Sequence, residues 1–153
     1  MKKALFLRLL ALGGIVLLVG FALGQKTEWT IDKTASSFGS NFAGIFEGHG
    51  GGQGGVAKWS IPGKTVDEVW DAVMKSLVFI SRTTVSGDKP SGTVTAHRPG
   101  ALIRFLFTAS PSGVDLFGKW EFVPGEKMQF STPFSQAKRF FNELFPKVKE
   151  MLK

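Results

Sequence analysis

Residues 101–123 read ALIRFLFTASPSGVDLFGKWEFV. Before Ser110-Pro111-Ser112-Gly113 the chain alternates, with Ile103, Phe105 and Phe107 on one side and Leu102, Arg104 and Leu106 on the other. After it, Val114, Leu116, Trp120 and Phe122 point one way, and Asp115, Lys119 and Glu121 the other. A period of two places successive side chains on opposite faces of a sheet, so both runs are predicted strands. The Ser/Pro/Gly spacer between them is short enough to make the pair a hairpin, and the sheet therefore antiparallel.

Working outward toward the N-terminus, Arg98-Pro99-Gly100 is a turn and Thr93 to His97 a further strand. Ser86 to Gly92 is predicted to turn, and Ile80 to Val85, β-branched and rich in Thr, to be extended. The period changes again before Phe79. Val66, Val69, Trp70, Val73 and Leu77 form one helical stripe, introduced by Thr65-Val66-Asp67-Glu68, a capping box in which Thr65 and Glu68 satisfy each other's amides. Val56 to Ile61 precedes it as a short strand ended by Pro62-Gly63. Toward the C-terminus, Pro124-Gly125-Glu126 leads to a short extended segment, Lys127 to Ser131. A helix then starts near Ser135, its apolar stripe running from Ala137 through Phe140, Phe141, Leu144, Phe145 and Val148 to Met151 and Leu152. Pro146 lacks an amide and crowds the carbonyl of Asn142, so a kink or restart is expected there. The predicted fold is α+β: an antiparallel meander of four to six strands with two helices packed on one face, β-α-β-β-β-β-(β)-α, over residues 56–153.

The first 25 residues differ in kind. Met1-Lys2-Lys3 is basic, Leu9 to Leu23 is apolar apart from Gly, and Ala22-Leu23-Gly24 offers small residues at −3 and −1 before Gln25. This is the pattern of a secretory signal peptide. Counted from Ala4, the stretch is also long enough to stay in a bilayer as an anchor. With positive charge on its cytoplasmic side, either outcome sends the rest of the chain across the membrane. Residues 26–55 read as a glycine-rich flexible tether, eight positions from Gly39 to Gly55 being glycine. Within it Phe38, Phe42, Ile45 and Phe46 could make one or two amphipathic turns.

The formal net charge is +7, but Lys2, Lys3 and Arg8 lie in the targeting segment, which leaves 16 basic against 12 acidic side chains in the remainder. That balance permits contact with acidic lipid without requiring it. With no cysteine, disulfides, thiolate metal sites, a cysteine nucleophile and N-terminal lipidation are excluded. Tyrosine is absent while phenylalanine occurs 15 times, so bulk comes from Phe and Trp with few hydroxyls for acid–base work.

No Gly-x-Ser-x-Gly elbow or His-Glu-x-x-His motif occurs, and the glycine run lacks the Lys-Ser/Thr of a phosphate loop. His49 and His97 are the only histidines and have no carboxylate pair beside them in sequence. Asp67, Glu68 and Asp71 suit the positive end of a helix dipole better than acid–base chemistry. No catalytic residue, metal site or cofactor is expected. The basic residues that could contact a partner are Arg104, which with Arg82, His97 and Arg98 could share a sheet face, and Lys138, Arg139 and Lys147, which with Lys149 lie on the last helix and could face an acidic membrane. Export argues against nucleic acid as that partner.

The stretch Ile61-Pro62-Gly63-Lys64-Thr65-Val66-Asp67-Glu68-Val69-Trp70-Asp71-Ala72-Val73, followed by the polar turn Asp88-Lys89-Pro90-Ser91-Gly92-Thr93-Val94, resembles the opening of the helix-grip, TATA-binding-protein-like domains of bacterial envelope lipoproteins, such as one lipoprotein of the outer-membrane β-barrel assembly complex. The likeness covers residues 56–153, implies the fold alone and carries over no functional residue. The absent lipidation cysteine departs from the lipoprotein pattern. The same opening is similar to START-like carrier domains, which would imply a hydrophobic cavity under the helices. The expectation is an exported, periplasmic or otherwise extracytoplasmic, non-catalytic interaction or scaffold domain. Its partner would be an envelope protein or the membrane surface. The alternative is a carrier of a hydrophobic small molecule or lipid.

Overall fold

The alternation at 101–123 becomes the middle of a six-stranded sheet. In a computed structural model of the chain, residues 28–34, 54–123, 125 and 132–153 are described. Their elements run β1 (Trp29–Asp32), β2 (Gly55–Pro62), α1 (Val66–Val78), β3 (Thr84–Asp88), β4 (Thr93–Arg98), β5 (Ala101–Ser110), β6 (Gly113–Phe122) and α2 (Pro133–Met151). The strands lie in the order β1-β2-β6-β5-β4-β3, and every adjacent pair is antiparallel. Strands β3 to β6 form a meander, and β2 closes on β6 from the other side. Both helices pack on one face, α1 over β3 to β6 and α2 over β2 and β6. The α+β fold expected from the alternation is the fold observed.

Period two sorts the sheet as the sequence demands. Ala57, Trp59 and Ile61 of β2, Val94 and Ala96 of β4, Ile103, Phe105 and Phe107 of β5, and Val114, Leu116 and Trp120 of β6 are all buried under the helices. Lys58, Ser60, Thr95, Arg104 and Lys119 alternate with them and face the other way. Rings fill the space between the layers. Phe140, Phe141, Phe145, Trp59 and Trp29 form an unbroken series with successive centroids 5.4–5.5 Å apart, and Phe105 meets Phe141 edge-on at 6.2 Å. Gly118 makes room for them: a Cβ there would lie 2.5 Å from Phe141 Cε1. Phe105, Phe140, Phe141 and Phe145 are fully buried, each withdrawing a large apolar surface from water.

Helix α1 starts as its capping box requires. The Thr65 hydroxyl accepts from the Glu68 amide and the Thr65 amide donates to Glu68 Oε2 at 2.8 Å. The hydrogen bond from the Thr65 amide, then that from its hydroxyl, holds the Glu68 carboxyl below its ordinary pKa. Buried Val69, Val73 and Leu77 make the helix's inner stripe.

Four features differ from the sequence reading. The stretch read as a tether contributes β1, where Trp29 packs edge-on against Trp59 and Phe145 and its indole N–H donates to Asn142 Oδ1 at 2.9 Å. Strand β3 begins at Thr84 rather than Ile80, and runs on to Asp88 where a turn was expected. Ile80 to Thr83 instead reverse the chain after α1, with Arg82 in the left-handed region at φ 57°. Gly87 belongs to the strand because it lies under Trp70, where a Cβ would be 2.6 Å from the ring. Helix α2 does not restart at Pro146 but continues through it from Pro133 to Met151. Pro146 and Asn142 are both on the exposed face, so water can reach the carbonyl that loses its donor. The extended segment expected at 127–131, the N-terminal targeting segment, and residues 35–53 of the tether with their Phe38–Phe46 cluster lie outside the described residues. Among those described, no helix is long and apolar enough to cross a membrane.

Candidate functional site

The four basic residues grouped on one sheet face separate once the register is known. Thr95 pairs with Arg104 and His97 with Leu102, so Arg104 and His97 share the outer face. Arg98, one residue on, turns toward the helices and lies over the Phe140 ring with its guanidinium carbon 5.4 Å from the centroid. Arg82 is on the connection between α1 and β3.

Arg104 is committed within the sheet. Its Nη2 lies 3.2 Å from Glu121 Oε2, and Lys119 Nζ lies 3.0 Å from Glu121 Oε1. Glu121 is buried, and a buried carboxylate is tolerated only with its counter-charges close. The Lys119 contact is an ion pair without hydrogen-bond alignment. On α2, Lys138 and Arg139 are exposed and Lys147 is half-buried. They lie off the stripe that faces the sheet. Lys149 is paired with Glu28, and Lys153 with Glu150 at 2.6 Å. The structure does not bring Arg104 together with the α2 lysines: they lie on opposite sides of the sheet.

A different place gathers unsatisfied surface. At the last turn of α1, Leu77 is fully buried and its neighbour Val78 is 75% exposed, followed by Phe79 at 67%. The helix ends there because Phe79 is its C-cap. The amides of Phe79 and Ile80 donate to the carbonyls of Ser76 and Leu77 at 3.1 and 3.0 Å. Ile80 returns to the core, 2% exposed, so Val78 and Phe79 form a bulge pinned on both sides by buried residues. Beside it is a shallow open depression lined by Val78 and Ile80, by Ser81 to Thr84, and by His97 and Pro99 across the sheet edge. Arg82, exposed, stands in its wall. Burial lowers the Arg98 guanidinium from its ordinary pKa; the Glu143 carboxylate opposes this and the Arg82 charge adds to it. Arg82 and Arg98 are therefore near enough to feel each other.

Chemically, this corner is an apolar projection beside cations. Among the described residues, no group of three or more His, Cys, Asp or Glu could hold a metal ion. Sequence reasoning missed the corner because Leu77, Val78, Phe79 and Ile80 look alike in composition. Only the phase of the helix end decides which two are buried. One signal was readable: no acidic residue occurs from Ala72 to Gly87, nor from Lys89 to Val114. Comparison of the chain with protein-family models, with curated proteins and with solved structures finds no match.

Proposed function

We propose that this chain is an exported, non-catalytic interaction domain of the cell envelope, and that it meets its partner through the α1–β3 corner. The observation that carries this reading is a contrast. The interior is filled by interlocking rings, from Phe140 to Trp29, while Val78 and Phe79 stand in solvent. Two large apolar side chains held adjacent in solvent supply the apolar centre that a contact surface uses. A carrier would need the reverse, apolar walls around a void under the helices, and Gly118 against Phe141 closes that space at the centre of the sheet. Export is supported by the basic start, the Leu9–Leu23 run and the Ala22-Leu23-Gly24 signature.

Native mass spectrometry of residues 25–153, purified without denaturant, tests the reading. That truncation removes nothing from the described elements, which begin at Trp29. The expected spectrum shows the chain alone or a defined oligomer of it. An added mass of a few hundred daltons (roughly the size of a ligand filling such a pocket) that solvent extraction removes would overturn the interaction domain in favour of the carrier.

A further inference from the structure

Charge is segregated along α1. Its first turn carries Asp67 and Glu68, with Asp71 one turn on, and there Lys89 Nζ lies 3.0 Å from Asp71 and 4.0 Å from Asp67. Its last turn carries Lys75, which at spacings of three and four shares a face with Val78 and Phe79. Past the helix come Arg82, exposed in the wall of the depression, and Arg98 behind it. The segments that build this corner, 72–87 and 93–100, contain no Asp or Glu. Glu143 of α2 acts on Arg98 behind the corner, but the bulge itself has Lys75 and Arg82 beside it and complements a surface that is apolar beneath and anionic at its rim.

We propose that the α1–β3 corner docks on the surface of an anionic lipid bilayer, with Val78 and Phe79 entering the headgroup–acyl boundary while Lys75 and Arg82 rest among lipid phosphates. The proposal rests on reading the chain as an exported interaction domain and names that domain's partner. Two features favour lipid over a protein partner. The depression is open rather than a groove shaped for a particular side chain. Lys75 and Arg82 also stand beside the apolar pair, the arrangement in which apolar insertion and attraction to anionic headgroups add. The bulge is already fixed by the Phe79 and Ile80 amide hydrogen bonds, so insertion orders little new backbone.

The chain has no cysteine, so single-cysteine spin labelling of the full-length protein is direct. Ser81→Cys places a small label in the corner without altering Val78 or Phe79. Ser112→Cys places a second label at the opposite end of the sheet, beyond β5. The protein is reconstituted into vesicles of phosphatidylcholine alone or mixed with phosphatidylglycerol. With phosphatidylglycerol, the Ser81 label is expected to gain collisions with oxygen and lose collisions with an aqueous nickel chelate, while the Ser112 label stays in water. The protection should fade in high salt, which screens surface charge, and be lost in Phe79→Ser. Arg82→Gly should lower the ratio of docked to undocked domain about fivefold, the effect of one basic group near an anionic surface. Neither substitution threatens the fold, since Phe79 is exposed and glycine suits the left-handed backbone at 82. Protection indifferent to lipid charge and to Arg82→Gly would overturn the proposal, as would equal protection at Ser112. A Ser81 label in water on every vesicle would also overturn it, yet would leave the interaction-domain reading to the mass measurement, pointing that reading to a protein partner.

Discussion

At its first turn, α1 has its charges and amides answered: Thr65 and Glu68 cap each other, and Lys89 bridges to Asp71 with its ammonium 5.3 Å from the Trp70 ring centroid. Thirteen residues later the same helix ends with Val78 and Phe79 in solvent and Arg82 in a conformation that L-residues avoid. The first end is built for the helix itself, each group serving its neighbour. At the second, three residues in five are placed where the fold gains little from them. Stability thus explains one end of α1 and not the other, where the proposed partner would act.

The sharpest break in that comparison is between adjacent residues. Leu77→Ala should destabilise the protein by about 3 kcal/mol through the cavity it leaves. Val78→Ser, one position on, should change stability by less than about 0.5 kcal/mol. Urea denaturation of the two variants measures both, and similar midpoints would mean that the last turn is packed differently. At the other end, Thr65→Ala should cost about 1 kcal/mol by removing the cap. The Glu68 half of the box should depend on pH. The Glu68 carboxyl titrates lower in the folded chain than in the unfolded one, so what it contributes is present above its unfolded pKa and disappears as the pH falls through the folded value. Thermal melts of Glu68→Gln and of the parent should converge in acid, where the parent's carboxyl is protonated. The smallest expected change is a gain. Arg82→Gly relieves the left-handed backbone at φ 57° but adds freedom to the unfolded chain, for a net stabilisation of about 0.5 kcal/mol. A loss of stability instead would make Arg82 part of the scaffold and return the second end of α1 to the logic of the first.

What was legible in the sequence follows the same division. Local patterns with one physical solution were readable: the Thr65–Glu68 box and the two faces of β5 and β6. Features decided by tertiary contact were not. The four residues of β1 show no useful period, and their strand exists because Trp29 finds Trp59, Phe145 and Asn142. The start of β3 was misplaced because Ile80 to Thr83, though it begins and ends on β-branched residues, must reverse the chain out of a helix. The proposed basic face failed for want of register: Arg98 and Arg104 lie six residues apart in sequence but on opposite sides of the sheet. Val78 and Phe79 could be assigned to solvent only after the last turn of α1 had been phased against Leu77 and Ile80.

The stapling of Trp29 into the sheet changes the reach of anything attached before it. As a thirty-residue tether, 26–55 would let the domain wander far from a membrane-held N-terminus. With β1 in place, only residues 25–28 separate Gly24 from the folded body, a contour of at most about 14 Å. Where the apolar segment stays in the bilayer, the domain would be confined to a thin layer beside it. The glycine-rich stretch then follows β1 in the chain instead of preceding the whole folded body. Confinement of that kind supplies a high effective concentration, so a corner with weak affinity for lipid would still spend much of its time in contact with it.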